Sequence, residues 1–416
     1  MNKILVVNFS APEMNYLAAA LAKADYLETY LRPYVNKSRL WERGLKRIPG
    51  FGKIIQHTLG RRLLPSGLPP SDVREIAILA DFTAVGASRL GLLGVPFADK
   101  LVSELQYYIQ NQLGKAGGHF VRHSSAVVAS CHVALPAFRA CEGLKILNYP
   151  TVHHRHQRIF VIEELNREPE FSSMLPGWNV TPEWVGINLD EEYALADRIF
   201  VGSTFARDSF IAEGIPYEKL VVIPYGVDIS LFSPMPSAIP IKNCFRVLFV
   251  GQIGQRKGIS YLLKAYNRFR GSGTSLTLVG DFCGSEVPLR RYKDLFRHVP
   301  NVPRALLPEL YRQAEVFVFP TLLEGMAMVV LEAMASGLPV IVTPNGPGDI
   351  VRDGVDGFVV PPRDIDSIAD RMEYLRSNPE VRAQMGANAR KRAMEFTWET
   401  YGQNVCRIIK GSLKIS

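Results

Sequence analysis

The stretch Glu315–Thr343, EVFVFPTLLEGMAMVVLEAMASGLPVIVT, decides the fold. Its two ends, EVFVFP and LPVIVT, are short apolar runs rich in Val, Ile and Phe, which is typical of strands buried on both faces. Between them, residues 328–336 are rich in helix formers, Gly337 stands at the expected C-cap, and Pro339 follows to end the helix. A strand, a helix and a strand in this order predict a right-handed parallel crossover.

Further apolar runs before and after this unit predict more strands of the same kind. The helical patterns between them predict two Rossmann-like α/β sheets. A Pro-rich stretch without periodicity, SPMPSAIPIKN at residues 233–243, predicts the linker between two domains. We expect a first helix over Met14–Ala24 and mostly helical structure over Ser71–Gln112. The runs that predict strands are KILVV, SAVVAS, KILNYP, DRIFVGST, KLVVIPYGVD, FRVLFVG and LTLVGD.

Two glutamates mark the central unit, Glu324 in its loop and Glu332 in its helix. Ligands of parallel sheets bind outside the carboxyl ends of the strands, so Glu324 is predicted to lie in a ligand crevice. The backbone N–H groups of residues 325–328 are free at the helix start, where the helix dipole also favours an anion. A phosphorylated ligand fits this chemistry. The spacing of the two glutamates is equally compatible with a purely structural interpretation, in which Glu324 caps the helix and Glu332 lies on the surface.

The series of motifs resembles a known family. The segment that begins at Glu324, EGMAMVVLEAMASGLPVIVTPNGPGDIVRDGVDGFVVPPRD, is similar to the C-terminal signature of the retaining nucleotide-sugar glycosyltransferases of family 4, the glycosyl transferases group 1. Their hallmark is two glutamates eight positions apart. The similarity continues in VLFVGQIGQRKGISYLLKAY at Val247–Tyr266 and in ADRIFVGSTFARDSFIAEGIPYEKLVVIPYGVDISLFSP at Ala196–Pro234. It covers most of residues 196–400 well and the first 190 residues loosely.

The resemblance implies a GT-B fold, in which two Rossmann-like domains face each other across a cleft. Residues 1–236 would form the N-terminal, acceptor-binding domain, and residues 237–396 the C-terminal domain that binds a nucleotide-sugar donor. Residues 397–416 would form a C-terminal helix that returns to the first domain. Retaining chemistry is implied by the family, with departure and attack on one face of the sugar and no protein nucleophile.

The donor side is predicted from two loops. In QIGQRKG, Arg256 and Lys257 precede a helix; cations and helix N–H groups there would stabilise the charge that a nucleoside diphosphate gains as it leaves. The family has an Arg where this chain has Gln252, and Arg256 is a candidate substitute; the alternative is an exposed basic turn. The resemblance implies Glu324 on the sugar hydroxyls and Glu332 on the ribose. The predicted donor-binding residues are Gly251, Gln252, Arg256, Lys257, Gly325, Met326, Ala327, Met328 and Glu332.

The acceptor side is predicted from TVHHRHQR, which follows a strand. The family has a histidine there that faces the sugar, and His153 matches it best, so we expect His153 and Glu324 to be the catalytic residues. His154 is the alternate, and we place His154 and Ser10 on the acceptor side. A structural role for these histidines stays open. A metal site of His153, His154 and His156 is a weaker alternative, because no carboxylate or cysteine lies nearby in the sequence.

We expect no metal ion and no cofactor other than the nucleotide-sugar co-substrate. The sequence has no GxGxxG or Walker motif. The DxD triplet of Asp364 and Asp366 lies in a segment that the family uses structurally. Five cysteines without a CxxC spacing are typical of a reducing cytoplasm. No apolar run of 18 residues occurs, so we expect a cytoplasmic protein or one peripheral at the cytoplasmic face of a membrane.

The net charge of +8 is concentrated in one segment. Residues 36–64 carry eight basic side chains against Glu42, with Trp, Phe, Leu and Ile between them. Such a basic amphipathic segment predicts contact with an anionic membrane surface. The alternative is a solvated helical hairpin that packs on its own domain, and we expect no nucleic-acid partner because no nucleic-acid module accompanies the charge.

These observations predict a retaining, metal-independent hexosyltransferase-type enzyme. It would move a sugar to an acceptor hydroxyl on a carbohydrate, which we expect to be a lipid-linked glycan or glycolipid in cell-envelope polysaccharide assembly. Two alternatives share the donor cleft. One is a non-catalytic nucleotide-sugar-binding protein, for which Gln252 is the best argument, and the other is a nucleotide-sugar epimerase of GT-B fold.

Overall fold

The computed structural model describes residues 2–37, 64, 67–92, 98–177, 181–234, 244–300 and 302–413 of the 416-residue chain. Two predictions fall largely outside these residues. They are the membrane contact of the basic segment 36–64 and the linker within residues 233–243, where the domain boundary was placed.

The first sheet is built from seven parallel strands in the order β3-β2-β1-β4-β5-β6-β7. Its central strands are fully buried, as expected for a parallel sheet covered by helices on both faces. The strands are β1 Ile4–Val7, β2 Leu27–Arg32, β3 Val73–Glu75, β4 Ala126–Ser130, β5 Leu144–Asn148, β6 Arg198–Val201 and β7 Leu220–Val222.

The second sheet is built from six parallel strands in the order β10-β9-β8-β11-β12-β13. The crossover predicted from Glu315–Thr343 is confirmed, with β11 and β12 paired side by side. The strands are β8 Phe245–Val250, β9 Thr274–Val279, β10 Arg297–Val299, β11 Val316–Phe319, β12 Val340–Val342 and β13 Gly357–Val359.

Helices connect the strands of both sheets and cover their faces. The helices are α1 Glu13–Lys23, α2 Ile78–Leu92, α3 Ala98–Phe120, α4 Leu135–Ala140, α5 His154–Arg167, α6 Glu183–Leu195, α7 Thr204–Ile211, α8 Ile259–Phe269, α9 Leu307–Arg312, α10 Met328–Ala335, α11 Ile365–Ser377, α12 Pro379–Ala393 and α13 Trp398–Leu413. No helix of the described ranges is both long enough and apolar enough to span a bilayer.

The prediction of mostly helical structure over Ser71–Gln112 is confirmed, with one exception. Val73–Glu75 forms the edge strand β3, which the sequence did not indicate. The register pairs Tyr30 with Val73. A strand of three residues that includes two charged ones has no apolar pattern of its own, so its conformation is set by pairing with β2. The helices α2 and α3 account for most of the rest of that range.

The strand order places a switch point in each sheet. In the second sheet the chain runs outward from β8 to one side through β9 and to the other through β11. The loops that follow β8 and β11 therefore diverge at the carboxyl ends of two adjacent strands, which is where open α/β sheets bind ligands. In the first sheet the corresponding pair is β1 and β4. The predicted pair of Rossmann-like sheets is thus confirmed.

The two sheets meet through loops at their carboxyl ends. A Cβ atom added to Gly325, after β11, would lie 2.0 Å from the carbonyl oxygen of Pro150, after β5. The backbone N–H of Tyr225 donates to the sulfur of Met326 at 2.8 Å. Thr204, at the start of α7, donates its hydroxyl to the Asp349 carboxylate at 2.6 Å. The loop that carries Glu324 therefore lies directly on the N-terminal sheet's domain.

The last helix, α13, crosses back onto the first sheet's domain, as predicted. The Trp398 ring stacks on the Tyr16 ring of α1, with centroids 3.7 Å apart and planes 4° from parallel. Gly402 faces Ala20 so closely that an added Cβ would lie 2.7 Å from the Ala20 Cβ. An absent side chain on α13 thus lets the two helices approach each other.

Candidate active site

The loop after β8 is shaped by glycines at both ends. Gly251 has a φ of +146° and Gly258 a φ of +72°, and side chains are strained at such values. A Cβ added to Gly258 would lie 2.0 Å from the Pro320 carbonyl oxygen. The loop is therefore pressed onto the end of β11, which brings Arg256 and Lys257 beside the loop that carries Glu324.

Arg256, Lys257 and Glu324 form one cluster at this switch point. The Arg256 Nη1 lies 2.9 Å from the Glu324 Oε2 and also donates to the Leu323 carbonyl oxygen at 3.1 Å. The Lys257 ammonium contacts the same Glu324 oxygen. The Lys257 Nζ also lies 5.0 Å from the centroid of the Phe319 ring, at the end of β11. One carboxylate thus holds two cations in the mouth of the cleft.

Both cations have lost most of their hydration. Burial lowers the pKa of Lys257 well below its usual value, and the adjacent Arg256 guanidinium lowers it further. Burial also lowers the pKa of Arg256 to about 10. Because charges attract more strongly where water is excluded, a multivalent anion would be held firmly here. This burial suits the phosphate-binding role that the sequence predicts for Arg256 and Lys257.

Glu332 lies on α10, the helix that follows the Glu324 loop, and is 6% exposed. Its carboxylate accepts a hydrogen bond from the Tyr311 hydroxyl at 3.1 Å and lies 3.1 Å from the Arg304 Nη2. Burial raises the pKa of Glu332 to about 7, while Arg304 and Tyr311 lower it. The two predicted glutamates therefore have different environments: Glu324 is held by cations, and Glu332 is held by one cation and a phenol.

The start of α10 offers backbone donors. Ala327 is the N-cap and its side chain supplies no capping hydrogen bond; the helix begins at Met328. Gly325, Met326 and Ala327 are buried against the N-terminal domain. Gln252 is exposed at the end of β8, four residues from Arg256. The structure thus places the whole predicted donor set, from Gly251 to Glu332, on the loops after β8 and β11 and on α10.

His153 lies at the carboxyl end of the first sheet, as predicted, with a ring that is buried. The residue is 1% exposed and is the N-cap of α5, where its Nδ1 accepts a hydrogen bond from the Arg155 N–H at 3.3 Å. Its ring packs against Tyr193 and Phe210. Burial and the neighbouring side chains of residues 154–156 lower the pKa of His153 to about 3, so the ring is neutral. The buried Nε2 has no hydrogen-bond partner among the described residues.

His154 points instead to a carboxylate that is distant in sequence. Its Nε2 lies 2.9 Å from Asp190 Oδ1, on α6. Ligand atoms of His153, His154 and Asp190 lie within 4.8 Å of one another, so folding supplies the carboxylate that the metal alternative lacked in the sequence. The guanidinium of Arg155 contacts the other Asp190 oxygen, and therefore Asp190 is balanced by a protein cation.

Ser10 is exposed in the loop after β1, at the switch point of the first sheet. Nearby lies a carboxylate that the sequence analysis missed, Glu13 in the first turn of α1. It is buried and accepts a hydrogen bond from Asn148 Nδ2 at 2.7 Å, and burial raises its pKa. Its position just after the first strand's turn was the available signal. Arg304 and Tyr311 were missed because they reach Glu332 from another loop and helix.

Comparison with known proteins agrees with this architecture. Residues 238–392 match the family model described as Glycosyl transferases group 1. A D-inositol 3-phosphate glycosyltransferase of Geodermatophilus obscurus is 31% identical over 237 residues, 51% of this chain and 52% of that protein. A GDP-mannose-dependent alpha-(1-6)-phosphatidylinositol monomannoside mannosyltransferase of Mycolicibacterium smegmatis is 30% identical over 239 residues, 52% of this chain and 63% of that protein. The chain thus spans about half to just under two thirds of these relatives.

Solved structures resemble the whole chain. Anabaena Alr3699/HepE in complex with UDP-glucose has a TM-score of 0.64 and 17% identity, with 99% of this chain and 100% of that chain covered. Sucrose-phosphate synthase from Thermosynechococcus elongatus has a TM-score of 0.64 and 18% identity, with both chains covered completely. At these identities the likeness shows the fold. Residues 238–392 thus match the family model of the glycosyl transferases group 1, and the two sheets have the GT-B fold.

Proposed function

We propose that the protein is a retaining glycosyltransferase that moves a sugar from a nucleotide-sugar donor to an acceptor hydroxyl. The observation that carries this proposal is the cluster of Arg256, Lys257 and Glu324 at the switch point. The buried Glu332 lies one turn into α10, the helix that follows. Two desolvated cations next to a free helix start match a diphosphate. Two carboxylates match the hydroxyl-rich remainder of a nucleotide-sugar.

On the donor side, the diphosphate would take the place of Glu324 against Arg256 and Lys257. The released Glu324 carboxylate could then accept hydrogen bonds from the sugar hydroxyls, and Glu332 could accept them from the ribose. As the glycosidic bond breaks, negative charge grows on the leaving diphosphate. The two cations and the N–H groups at the start of α10 would stabilise that charge more strongly in the transition state than in the bound donor.

On the acceptor side, the unpartnered Nε2 of His153 is the group that a bound hydroxyl would satisfy. A neutral ring can accept from or donate to a hydroxyl, depending on its tautomer. Ser10 and the carboxyl ends of β1 and β4, at the switch point of the first sheet, would line the path of the acceptor. No side chain of the cluster needs to act as a nucleophile, because attack and departure on one face retain the anomeric configuration. We propose that no metal ion takes part.

We further propose that the acceptor is a lipid-linked glycan or a glycolipid. The support is the M. smegmatis relative, whose substrate is a phosphatidylinositol monomannoside, together with the basic segment 36–64. That segment would hold the enzyme at an anionic membrane surface. Flotation with vesicles containing anionic lipid should recover the wild type and lose the variant in which Arg43, Lys46, Arg47 and Lys53 are neutralised. Equal flotation of both would reject the membrane contact.

The first experiment tests the donor site. Thermal unfolding is measured with UDP, GDP, ADP, TDP and CDP for the wild type, Lys257→Ala and Glu332→Ala. Because a ligand of the folded state stabilises it by RT ln(1 + [L]/Kd), about 100 Kd of ligand adds about 2.7 kcal/mol. One nucleotide should stabilise the wild type and neither variant. The controls Lys293→Ala and Glu309→Ala remove exposed charges on the same domain and should respond like the wild type.

The second experiment tests turnover. The sugar donor of the nucleotide found above is offered with and without a membrane lipid extract, in buffer with and without EDTA. Sugar should move to the lipid only when the extract is present, at the same rate with EDTA, and NMR of the product should show the donor's anomeric configuration. An epimerase would act without the extract. A nucleotide that binds with no turnover would identify a binding protein.

A further inference from the structure

A buried carboxylate of the first domain joins three elements of the second. Glu164, on α5, is 0% exposed. Its carboxylate accepts hydrogen bonds from Gln255 Nε2 at 2.8 Å, from the Tyr261 hydroxyl at 3.2 Å and from Arg363 Nε at 2.6 Å. Gln255 precedes the cations of the β8 loop, Tyr261 lies on α8 and Arg363 precedes α11. These donors lie 91 to 199 residues away in sequence.

The contact with Gln255 reaches the loop that carries Arg256 and Lys257. Gln255 is also 0% exposed. Its Nε2 also donates to the Ser260 hydroxyl at 2.8 Å, and its Oε1 accepts from the Ser260 N–H at 3.3 Å. The side chain of Gln255 therefore ties the loop to the start of α8 on one side and to Glu164 on the other. The next residue in the chain is Arg256, so the carboxylate on α5 fixes the backbone from which both cations project.

The contact with Arg363 is made from an unfavourable backbone conformation of that residue. Arg363 has a φ of +69°, a conformation that non-Gly residues seldom adopt and that persists where surrounding contacts hold it. From that position its Nη2 also reaches Glu163, at 3.0 Å. Lower on the same face, Lys264 of α8 pairs with Glu168 at 2.5 Å. Glu163, Glu164 and Glu168 thus place three carboxylates against the donor-binding domain.

We propose that Glu164 is a positioning residue that holds the β8 loop in its anion-binding shape and sets the two domains in register. The role of the loop in binding a nucleotide rests on the function proposed above. His153 begins α5 and Glu164 lies near its end. A single helix therefore links the acceptor-side histidine to the loop that would bind the diphosphate. A shift of the β8 loop would therefore also displace α5 and, through it, His153.

The physical reason for this role is that buried polar groups need hydrogen-bond partners. Gln255 and Glu164 are shut off from water, so a lost partner leaves a buried polar group unsatisfied. In Glu164→Gln one carbonyl oxygen remains, and it cannot accept from both Gln255 and Arg363, which use different oxygens of the Glu164 carboxylate. One of these donors therefore loses its partner on α5. The loop then gains freedom where Arg256 and Lys257 must be fixed to meet a diphosphate. Precise placement of such groups accounts for much of the binding and catalytic power of enzymes.

The test begins without any nucleotide. Amide hydrogen exchange is followed at Lys257 and Gly258, whose N–H groups donate to the carbonyls of Gly254 and Gln255 within the loop. In Glu164→Gln, which keeps the side chain's shape, both amides should exchange roughly tenfold faster, since a hydrogen bond to a charged group is lost. Exchange in the central strand Val340–Val342 should stay as in the wild type, which separates loosening of the loop from general destabilisation.

The matched control is Glu163→Gln. It lies one residue earlier and contacts the same Arg363, but it has no contact with Gln255 in the described residues. Its loop amides should exchange like those of the wild type. If Glu164→Gln leaves the exchange of the loop unchanged, or if Glu163→Gln speeds it equally, the positioning role is overturned.

The second readout is the affinity for the nucleoside diphosphate that the wild type binds best among the five of the thermal screen. Glu164→Gln should weaken it about tenfold, as should Gln255→Ala, and the double variant should be no weaker than Gln255→Ala alone. Additive losses would mean that Glu164 does not act through Gln255, and would overturn the inference. A wild type that binds none of the five would remove the proposed function, and the exchange measurement would still decide the role of Glu164.

Discussion

Gly325 lies at a close approach of the two domains, and replacing it with Ala should force them apart locally. A Cβ at this position would lie 2.0 Å from the Pro150 carbonyl oxygen and 2.7 Å from the Thr151 Cα. Ordinary contact begins at 3.4 Å, so the backbones must separate by about 1.4 Å, the difference between 3.4 and 2.0. The obstructing atoms belong to the main chain, and therefore no side-chain rotation relieves the clash.

The cost follows from the steric origin of the change. Gly325 does not have a positive φ, so Ala adds no backbone strain, and the expected loss is the about 1–3 kcal/mol of an overpacked site. The same loop carries Glu324 and leads into α10. A displacement of about 1.4 Å should weaken nucleotide affinity by roughly tenfold or more, because binding groups must be placed to within about 0.5 Å.

Two measurements check this prediction. Urea unfolding gives the loss of stability, and titration with the nucleotide found in the thermal screen gives the loss of affinity. The matched control is Gly348→Ala in the same domain, where the added Cβ would lie 3.4 Å from the Pro344 Cβ, an ordinary contact. If Gly325→Ala unfolds and binds as Gly348→Ala does, then the close approach of the two domains is not what holds this loop.

Three further predictions follow from single contacts. Burial raises the pKa of Glu332 to about 7, so the folded state binds its proton more tightly than the unfolded state. Stability should therefore fall by about 3 kcal/mol as the pH rises from about 4.5 to about 7, and Glu332→Gln should lose that slope in unfolding curves at several pH values. Asp349→Ala removes an acceptor from the Thr204 N–H and hydroxyl and should cost about 1.5–3 kcal/mol in urea, whereas a loss below about 0.5 kcal/mol would mean that water replaces it. Trp398→Ala removes the stack on Tyr16 and should lower the unfolding free energy by about 2–3 kcal/mol, less than for a fully buried Trp; an unchanged value would show that α13 is held elsewhere.

The core of the fold could be predicted because its signals are local. Central strands such as β4 and β11 are continuous apolar runs, and a parallel sheet buried on both faces requires that pattern. The edge strand β3 and its neighbour β2 were missed for the opposite reason. LETYLR and VRE mix charged and apolar residues, because a strand near the edge of a sheet is partly solvated and depends on its neighbour for pairing.

The donor side could be predicted for a similar reason, since its residues lie in two short contiguous loops. The domain contacts could not. Glu164 meets partners 91 to 199 residues away, and no spacing rule indicates which of the chain's many glutamates will be buried. The carboxylate of Glu192 shows the same limit. It accepts the N–H groups of His132, Ala134 and Leu135 and so supplies the acceptor at the start of α4, whose own N-cap side chain makes no capping bond.

The cluster at the switch point adds a step that residue spacing cannot show. The sequence analysis assigned Arg256 and Lys257 to the diphosphate and Glu324 to the sugar, as if these groups acted separately. In the structure Glu324 binds both cations. A carboxylate engaged in this way cannot also hold a sugar hydroxyl at full strength, because its Oε2 is shared between two donors. A diphosphate carries more negative charge than one carboxylate and would displace it. Arrival of the donor would thus release the residue that grips its sugar, so a nucleoside diphosphate without a sugar should leave Glu324 more exposed to reaction with a carbodiimide than no ligand does.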